Sequence, residues 1–290
     1  MAIFLRKDCA SSSLKSLLPM TLPVMLVGSL LVAGTNRGLA LTVRGDRWLS
    51  IADLLGNVQF ISGESRRAAK RGDRLTSVGD ALVTDANASA RLAIDEAVGS
   101  VTMAQNSYLR IQSLLITQNG GRVTELSVVR GQVRLRVRPF TSPESRLEIH
   151  TPAGISGVRG TDFGVTVQPD GQTAIATETG SVFASAQGEE VIVDAGEQSI
   201  IRPGEPPTQP QDFDDDPALN IEVLRATSRS TVNVVGFTDP ANIVKINGET
   251  IRFNDEGRFD WETAISGARI IQAEVITPLG TRQDYRLVVP

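Results

Sequence analysis

The chain has 290 residues, 41% hydrophobic and 21% charged, which is enough for one large or two ordinary domains with real cores. A formal net charge of −4 excludes a general nucleic-acid binder, because phosphate contacts need a basic face. Aromatics at 4% exclude a surface of many stacking rings, and a single cysteine and a single histidine leave little for thiolate, disulfide or imidazole chemistry.

Residues 1–40 read as an export signal. Arg6, Lys7 and Lys15 form a positive n-region, an apolar stretch follows from Leu17 to Gly34, and Gly38 and Ala40 stand at the small-residue positions of a cleavage site. Pro19 and Pro23 interrupt the apolar run and weigh against a stable spanning helix, which leaves the segment either cleaved or kept as an anchor. No later run approaches the length of a bilayer span. Cys9 lies ahead of the apolar run, away from any lipoprotein cleavage position, and cleavage after Ala40 leaves a mature chain without cysteine. The expected location is the periplasm or cell surface, with no stable membrane span once the signal is removed.

From Leu41 to about Gly204 the pattern is one of short strands. Leu92 and Ile94 alternate with polar neighbours, Val133, Leu135 and Val137 alternate with Arg134, Arg136 and Arg138, and Phe163, Val165 and Val167 do the same. Period two in short runs punctuated by Gly, Asn and Asp predicts an all-β domain over 41–204. The segment around Asp95–Ser100 is the best helical candidate and a poor one. A weak repeat pairs "GNVQFISGE" at Gly56 with "GSVFASAQGEE" at Gly180, and "GQV" at Gly131 looks like a partial third copy. Repeated strand-turn units suit stacked β coils of solenoid type or paired hairpins, with chance similarity the alternative.

Residues 205–217 are rich in proline and acid and read as a semi-rigid linker. Their acids, Asp212, Asp214, Asp215 and Asp216, lack the glycine and distal glutamate of an EF-hand calcium loop. Residues 218–290 hold seven strand-like runs, with an Asn247-Gly248 hairpin turn among them, and predict a small β-sandwich.

The stretch Thr151, Pro152, Gly157, Val158, Arg159, Gly160, Thr161, Phe163 resembles the signature of the FecR domain family. The continuation through "GSVFAS" to "AGEQSII" and the upstream "GDALVTDANASARLAI" are similar to it as well, covering about Gly56 to Gly204. The run from "VVGFTDPANIVKINGE" onward resembles a bacterial immunoglobulin-like domain. The family resemblance implies an envelope location and, in its name-giving members, regulators that sense an outer-membrane receptor and control a sigma factor. Only sixteen residues precede the apolar run here, which is expected to be too few for a folded sigma-binding domain.

Catalysis has little to stand on. His150 is the only histidine, "GISGV" does not match a G-x-S-x-G elbow, and the acids Asp73, Asp80, Asp170, Glu197 and Asp255 sit in turns, where carboxylates usually bind backbone N–H groups. "GISGVRG" fits neither phosphate-loop pattern. No metal, cofactor or enzyme activity is expected. Arg130, Arg134, Arg136 and Arg138 share one parity and form a candidate ridge for an anionic partner; the plainer reading is a solvated face paired with acid on the next strand. Arg159 is expected to hold its bend through a backbone carbonyl or a nearby acid. The expected role is a non-catalytic binding or scaffold module for another envelope protein or an anionic polysaccharide; the alternatives are a signal-sensing regulator linked to a sigma factor and a polysaccharide- or peptidoglycan-binding protein.

Overall fold

The computed structural model of the chain describes residues 47–96, 98–265 and 269–290; the expected leader over 1–40, with Cys9 and Ala40, lies outside them. All regular structure among the described residues is β. Numbered along the chain, the first seventeen strands are β1 (Leu49–Leu55), β2 (Val58–Ser62), β3 (Ser65–Ala68), β4 (Arg74–Leu75), β5 (Ala81–Thr84), β6 (Ser89–Ile94), β7 (Gly99–Met103), β8 (Tyr108–Ile116), β9 (Arg122–Val137), β10 (Arg146–His150), β11 (Ile155–Val158), β12 (Asp162–Val167), β13 (Thr173–Thr179), β14 (Ser181–Ala186), β15 (Glu189–Asp194), β16 (Glu197–Ile201) and β17 (Gln211–Asp212).

These strands make two sheets. The first runs β4-β1-β6-β7-β9-β12-β13-β16-β17. The second runs β3-β2-β5-β8-β9-β10-β11-β14-β15. Towards its end the chain lays a hairpin in one sheet, then a hairpin in the other, so β11 pairs β14 and β13 pairs β16 across the intervening hairpin. Hairpins are one of the two arrangements that the repeat suggested. Every pairing in the two sheets is antiparallel except β9 with β10.

The long strand β9 belongs to both sheets. Arg122–Arg130 pair with β8 in the second, and Gly131–Arg136 pair with β12 in the first. The repeat falls on the hairpins β2–β3 and β14–β15, at opposite edges of the second sheet. The partial third copy does not: Gly131 lies inside β9, where the chain crosses between sheets rather than turning back.

The pleat explains the core. Leu92 and Ile94, Val133 and Leu135, and Phe163, Val165 and Val167 all turn inward, where they meet Leu109, Ile111, Leu126, Leu147, Ile149 and Val182 of the second sheet in one cluster. Each such side chain contributes roughly 1.5–3 kcal/mol by leaving water.

The segment 205–217 is not a free spacer. It supplies β17 as an edge strand, and Phe213, only 8% exposed, packs with Ala176 and Leu279. One aromatic side chain outweighs the polar composition that made the segment read as a solvated linker.

The remaining strands are β18 (Asn220–Ala226), β19 (Thr231–Phe237), β20 (Ile243–Ile246), β21 (Glu249–Thr250), β22 (Arg258–Ala264), β23 (Ile270–Ile276) and β24 (Arg282–Val288). They form a three-stranded sheet, β18-β19-β22, and a four-stranded one, β21-β20-β23-β24. Between the sheets lies a second core of Val232, Val234, Val244, Ile246, Phe259, Ile271 and Val275. This is the expected immunoglobulin-like sandwich. Asn247 and Gly248 have φ of 51° and 84°, as a two-residue hairpin turn requires.

Candidate functional site

The signature stretch is the passage from one sheet to the other. Thr151 starts a tight turn, its N–H donating to Gly154 O at 2.9 Å and its Oγ1 accepting from Gly154 N, while Pro152 is exposed. β11 then runs in the second sheet with Val158 buried. At Gly157 a Cβ would lie 1.9 Å from Phe183 Cζ, so glycine lets the Phe183 ring lie across the strand. Gly160 lies against Pro139 in the crossover, and Phe140 N donates to Arg159 O at 2.9 Å. Arg159 stays exposed and donates from Nη2 to Ser142 O at 3.3 Å. Thr161 is buried with no partner for its hydroxyl, and Phe163 is wholly buried in the core. This geometry is that of a structural crossover between layers.

The arginine row is divided by its surroundings. Arg134 grips Asp162 with both arms of its fork, Nε to Oδ1 at 2.8 Å and Nη2 to Oδ2 at 2.9 Å. Arg136 adds Nε to Asp162 Oδ2 at 2.9 Å while remaining exposed. Burial alone would raise the Asp162 carboxyl, but the hydrogen bonds from Arg134 and then Arg136 reverse this and hold it below the usual carboxylate range. The same bond to Asp162 raises Arg134. Arg138 lies with Arg136 along a hollow of about 510 Å³ that is also lined by Asp95, Glu96 and Asp162, so residues of both signs of charge line it. Arg130 stands apart, beyond the break at Gly131, with its guanidinium 5.7 Å from the Tyr108 ring. The four arginines do not make one continuous cationic ridge.

Arg134 leads to the feature that sequence reasoning missed. Its Nη1 donates to the carbonyl of Leu279 in the sandwich at 3.0 Å. Around it the outward face of the first sheet and its turns carry a series of glutamines with similar partners. Gln132 donates to Thr277 O, Gln168 to Asn242 O at 2.6 Å and Gln172 to Pro240 O at 3.2 Å. Gln198 donates to the Asp239 carboxylate at 2.8 Å, and Gln105 to Glu274 at 3.1 Å. Asp215, from the segment read as a linker, accepts from the hydroxyls of Thr277 and Thr281. Gly164 provides the closest approach: a Cβ there would sit 2.0 Å from Pro278 O. Small apolar contacts of Ala174, Ile200 and Ala241 complete the seam.

A second hollow, of about 330 Å³, lies beside the seam between Gln105, Arg130, Gln132, Gln168, Lys245 and Ile276. Lys245 is buried there, 3.6 Å from Glu274; burial lowers its pKa, with Glu274 acting in the opposite sense.

The turn acids are engaged by their own turns. Asp73 accepts from Lys70 N at 2.8 Å, Asp80 from Thr76 N and Ser77 N at 2.9 Å each, Asp170 from Gln172 N at 3.0 Å and Glu197 from Asp194 N at 2.9 Å. Asp255 lies 2.7 Å from Arg202. His150, at the end of β10, has Nε2 3.4 Å from Glu148. A further buried pair was not foreseen: Arg47 holds Asp95 at 3.0 and 2.9 Å and donates to the carbonyls of Leu115 and Val123. This ties the first described residue into the second sheet's long hairpin. Its only sequence trace is an arginine ahead of the first strand.

Residues 80–183, which span the middle strands of both sheets and the whole signature crossover, match the family model described as FecR protein. The chain carries a FecR domain. The FecR match takes in Arg134, Arg136 and Asp162 and stops within β14. No curated protein sequence matches the chain at a significant level. Among solved structures the chain is similar to one described as a proposed anti-sigma factor from Parabacteroides distasonis, at 16% identity and a TM-score of 0.39, over 46% of this chain and 60% of that one. A second structure with the same description gives 16% identity and a TM-score of 0.34, over 40% and 52%. The chain therefore spans about 60% of the length of the first of these, and likenesses this loose carry no argument about function.

Proposed function

We propose that this chain is a non-catalytic binding module of the cell envelope, exported by its leader, in which the FecR domain and the immunoglobulin-like sandwich face a protein partner as one body. The seam carries this reading. Four side chains, Gln132 and Arg134 on the outward sheet face and Gln168 and Gln172 in the β12–β13 turn, donate to main-chain carbonyls of the sandwich. Buried hydrogen bonds to main chain fix orientation, because a shifted loop leaves each donor unmatched. Fixed orientation serves a composite binding surface and is of little use to two modules acting separately. The turn acids support the non-catalytic part, since the carboxylates of Asp73, Asp80, Asp170 and Glu197 are engaged in holding backbone.

Crosslinking in cells, with partner identification, tests this. The native chain is expected to capture an envelope protein, and a Gly164→Val chain, with its seam opened, is expected to capture at least about fivefold less, the weakening that roughly 1 kcal/mol produces. Equal capture by both overturns the composite surface. A second reading, a signal-perceiving regulator linked to a sigma factor, rests on the FecR match over 80–183. It is favoured in place of the scaffold if the captured partner belongs to a sigma-factor system.

A further inference from the structure

The second sheet ends, among the described residues, in two strands with a neighbour on one side only. β3 pairs with β2 alone and β15 with β14 alone. Both are the outer strand of the repeated hairpin, so one and the same unit closes the sheet at each end. Their charges are opposite. The β3 end carries Arg66, Arg67, Lys70, Arg71 and Arg74 against Glu64 and Asp73. The β15 end carries Glu189, Glu190, Asp194 and Glu197, with no Lys or Arg anywhere from 187 to 201.

Both strands lie open to solvent. All four residues of β3 are exposed, and on β15 so are Glu189, Glu190, Asp194 and the apolar Ile192, at 50%. Asp73 engages Arg67, whereas Arg66 reaches only the Gln59 side chain on its own hairpin. No basic residue pairs with Glu189 or Glu190 among the described residues.

Charge on an edge strand normally keeps sheets apart by setting like against like. That accounts for either edge alone: β3 repels β3, and β15 repels β15. It leaves one encounter that charge favours, β3 of one copy against β15 of another. We propose that a second copy of this chain docks head to tail across these edges, continuing the second sheet from molecule to molecule. Arg66 and Arg67 of one copy then oppose Glu189 and Glu190 of the next, and Ile192 is covered. The contact is heterologous, so its repetition gives an open filament or a closed ring. With four residues in β3 the contact is small, hence reversible and sensitive to salt.

Sedimentation of the purified full chain tests the proposal. The native chain is expected to self-associate at about 0.1 M salt and to lose about tenfold in affinity at about 1 M, where the screening length falls from ~10 to ~3 Å. The pair Arg66→Glu with Arg67→Glu puts acid at the facing positions of both edge strands; the pair Glu189→Arg with Glu190→Arg puts base at the facing positions of both. Each variant alone is expected to stay monomeric. Mixed in equal amounts they are expected to associate, because every end again meets its opposite. That restoration separates an edge contact from a folding defect, which mixing does not repair. A native chain that remains monomeric to about 1 mM at low salt overturns the proposal. So does association unchanged in both variants, or no restoration between two variants whose circular dichroism matches the native chain.

Discussion

The two faces of the first sheet come from the same strands, yet they are built on different principles. On β9 and β12 the inward residues Val133, Leu135, Phe163, Val165 and Val167 are wholly or almost wholly buried in an apolar cluster. The outward residues Gln132, Arg134, Asp162 and Gly164, with Gln168 in the turn after β12, meet protein as well, but through hydrogen bonds and one close main-chain approach. The inner face makes the domain stable, since burial is non-directional and large. The outer face makes it specific, since hydrogen bonds contribute modest net energy and demand one geometry.

Substitutions on each face sharpen that contrast. Phe163→Ala, on the inner face, is expected to cost about 3–5 kcal/mol and to lower the urea midpoint of the whole domain. Gly164→Val, on the next residue, leaves the strand able to form, because β-branched side chains suit strands. Its Cβ collides with the Pro278 carbonyl, and a penalty of about 1–3 kcal/mol is expected to fall on docking. The check is a thermal scan: the sandwich and the FecR domain unfold in two steps where the native chain shows one. A single step in the variant at the native midpoint would show that the seam does not couple them.

Asp162→Asn comes next, with an expected cost of about 1–2 kcal/mol because two guanidinium groups lose their charged acceptor at a partly exposed site. Its pH dependence has a definite sign. The folded carboxyl titrates below its ordinary range, so its contribution is complete above the unfolded pKa of about 3.9 and is lost as pH falls through the folded value. The stability gap between native and Asp162→Asn chains is therefore expected to be widest at neutral pH and to close below about pH 4; a gap that widens on acidification contradicts the ion-pair account. The smallest effect is that of Gln168→Ala, about 1 kcal/mol on docking, from one lost hydrogen bond to Asn242 O. Calorimetry of the coupled unfolding step measures it.

The inner face was legible from sequence and the outer one was not. Alternation at Val133–Arg138 and Phe163–Val167 marks strands because the pleat has period two, and Asn247-Gly248 marks a turn because both positions need positive φ. Alternation names the residues that face outward without saying what they face. Arg134 looked like a member of an exposed row. Its partner Asp162 lies 28 positions on, and its other acceptor is a backbone carbonyl that no sequence pattern displays. Gln132, Gln168, Gln172 and Gln198 are ordinary solvent-facing residues by type. Phe213 was hidden by the acids around it. Arg47 and Asp95, 48 positions apart, meet only because β1 and β6 pair.

One strand sets how the FecR domain bears mechanical load. β9 passes from the second sheet into the first as one strand kinked at Gly131, hydrogen-bonded along both halves. A pull delivered to either layer travels along covalent bonds into the other. Peeling one sheet away from its neighbour therefore requires shearing the ladders of β9 together instead of opening them one at a time. A domain wired in this way is expected to open both layers together rather than one after the other.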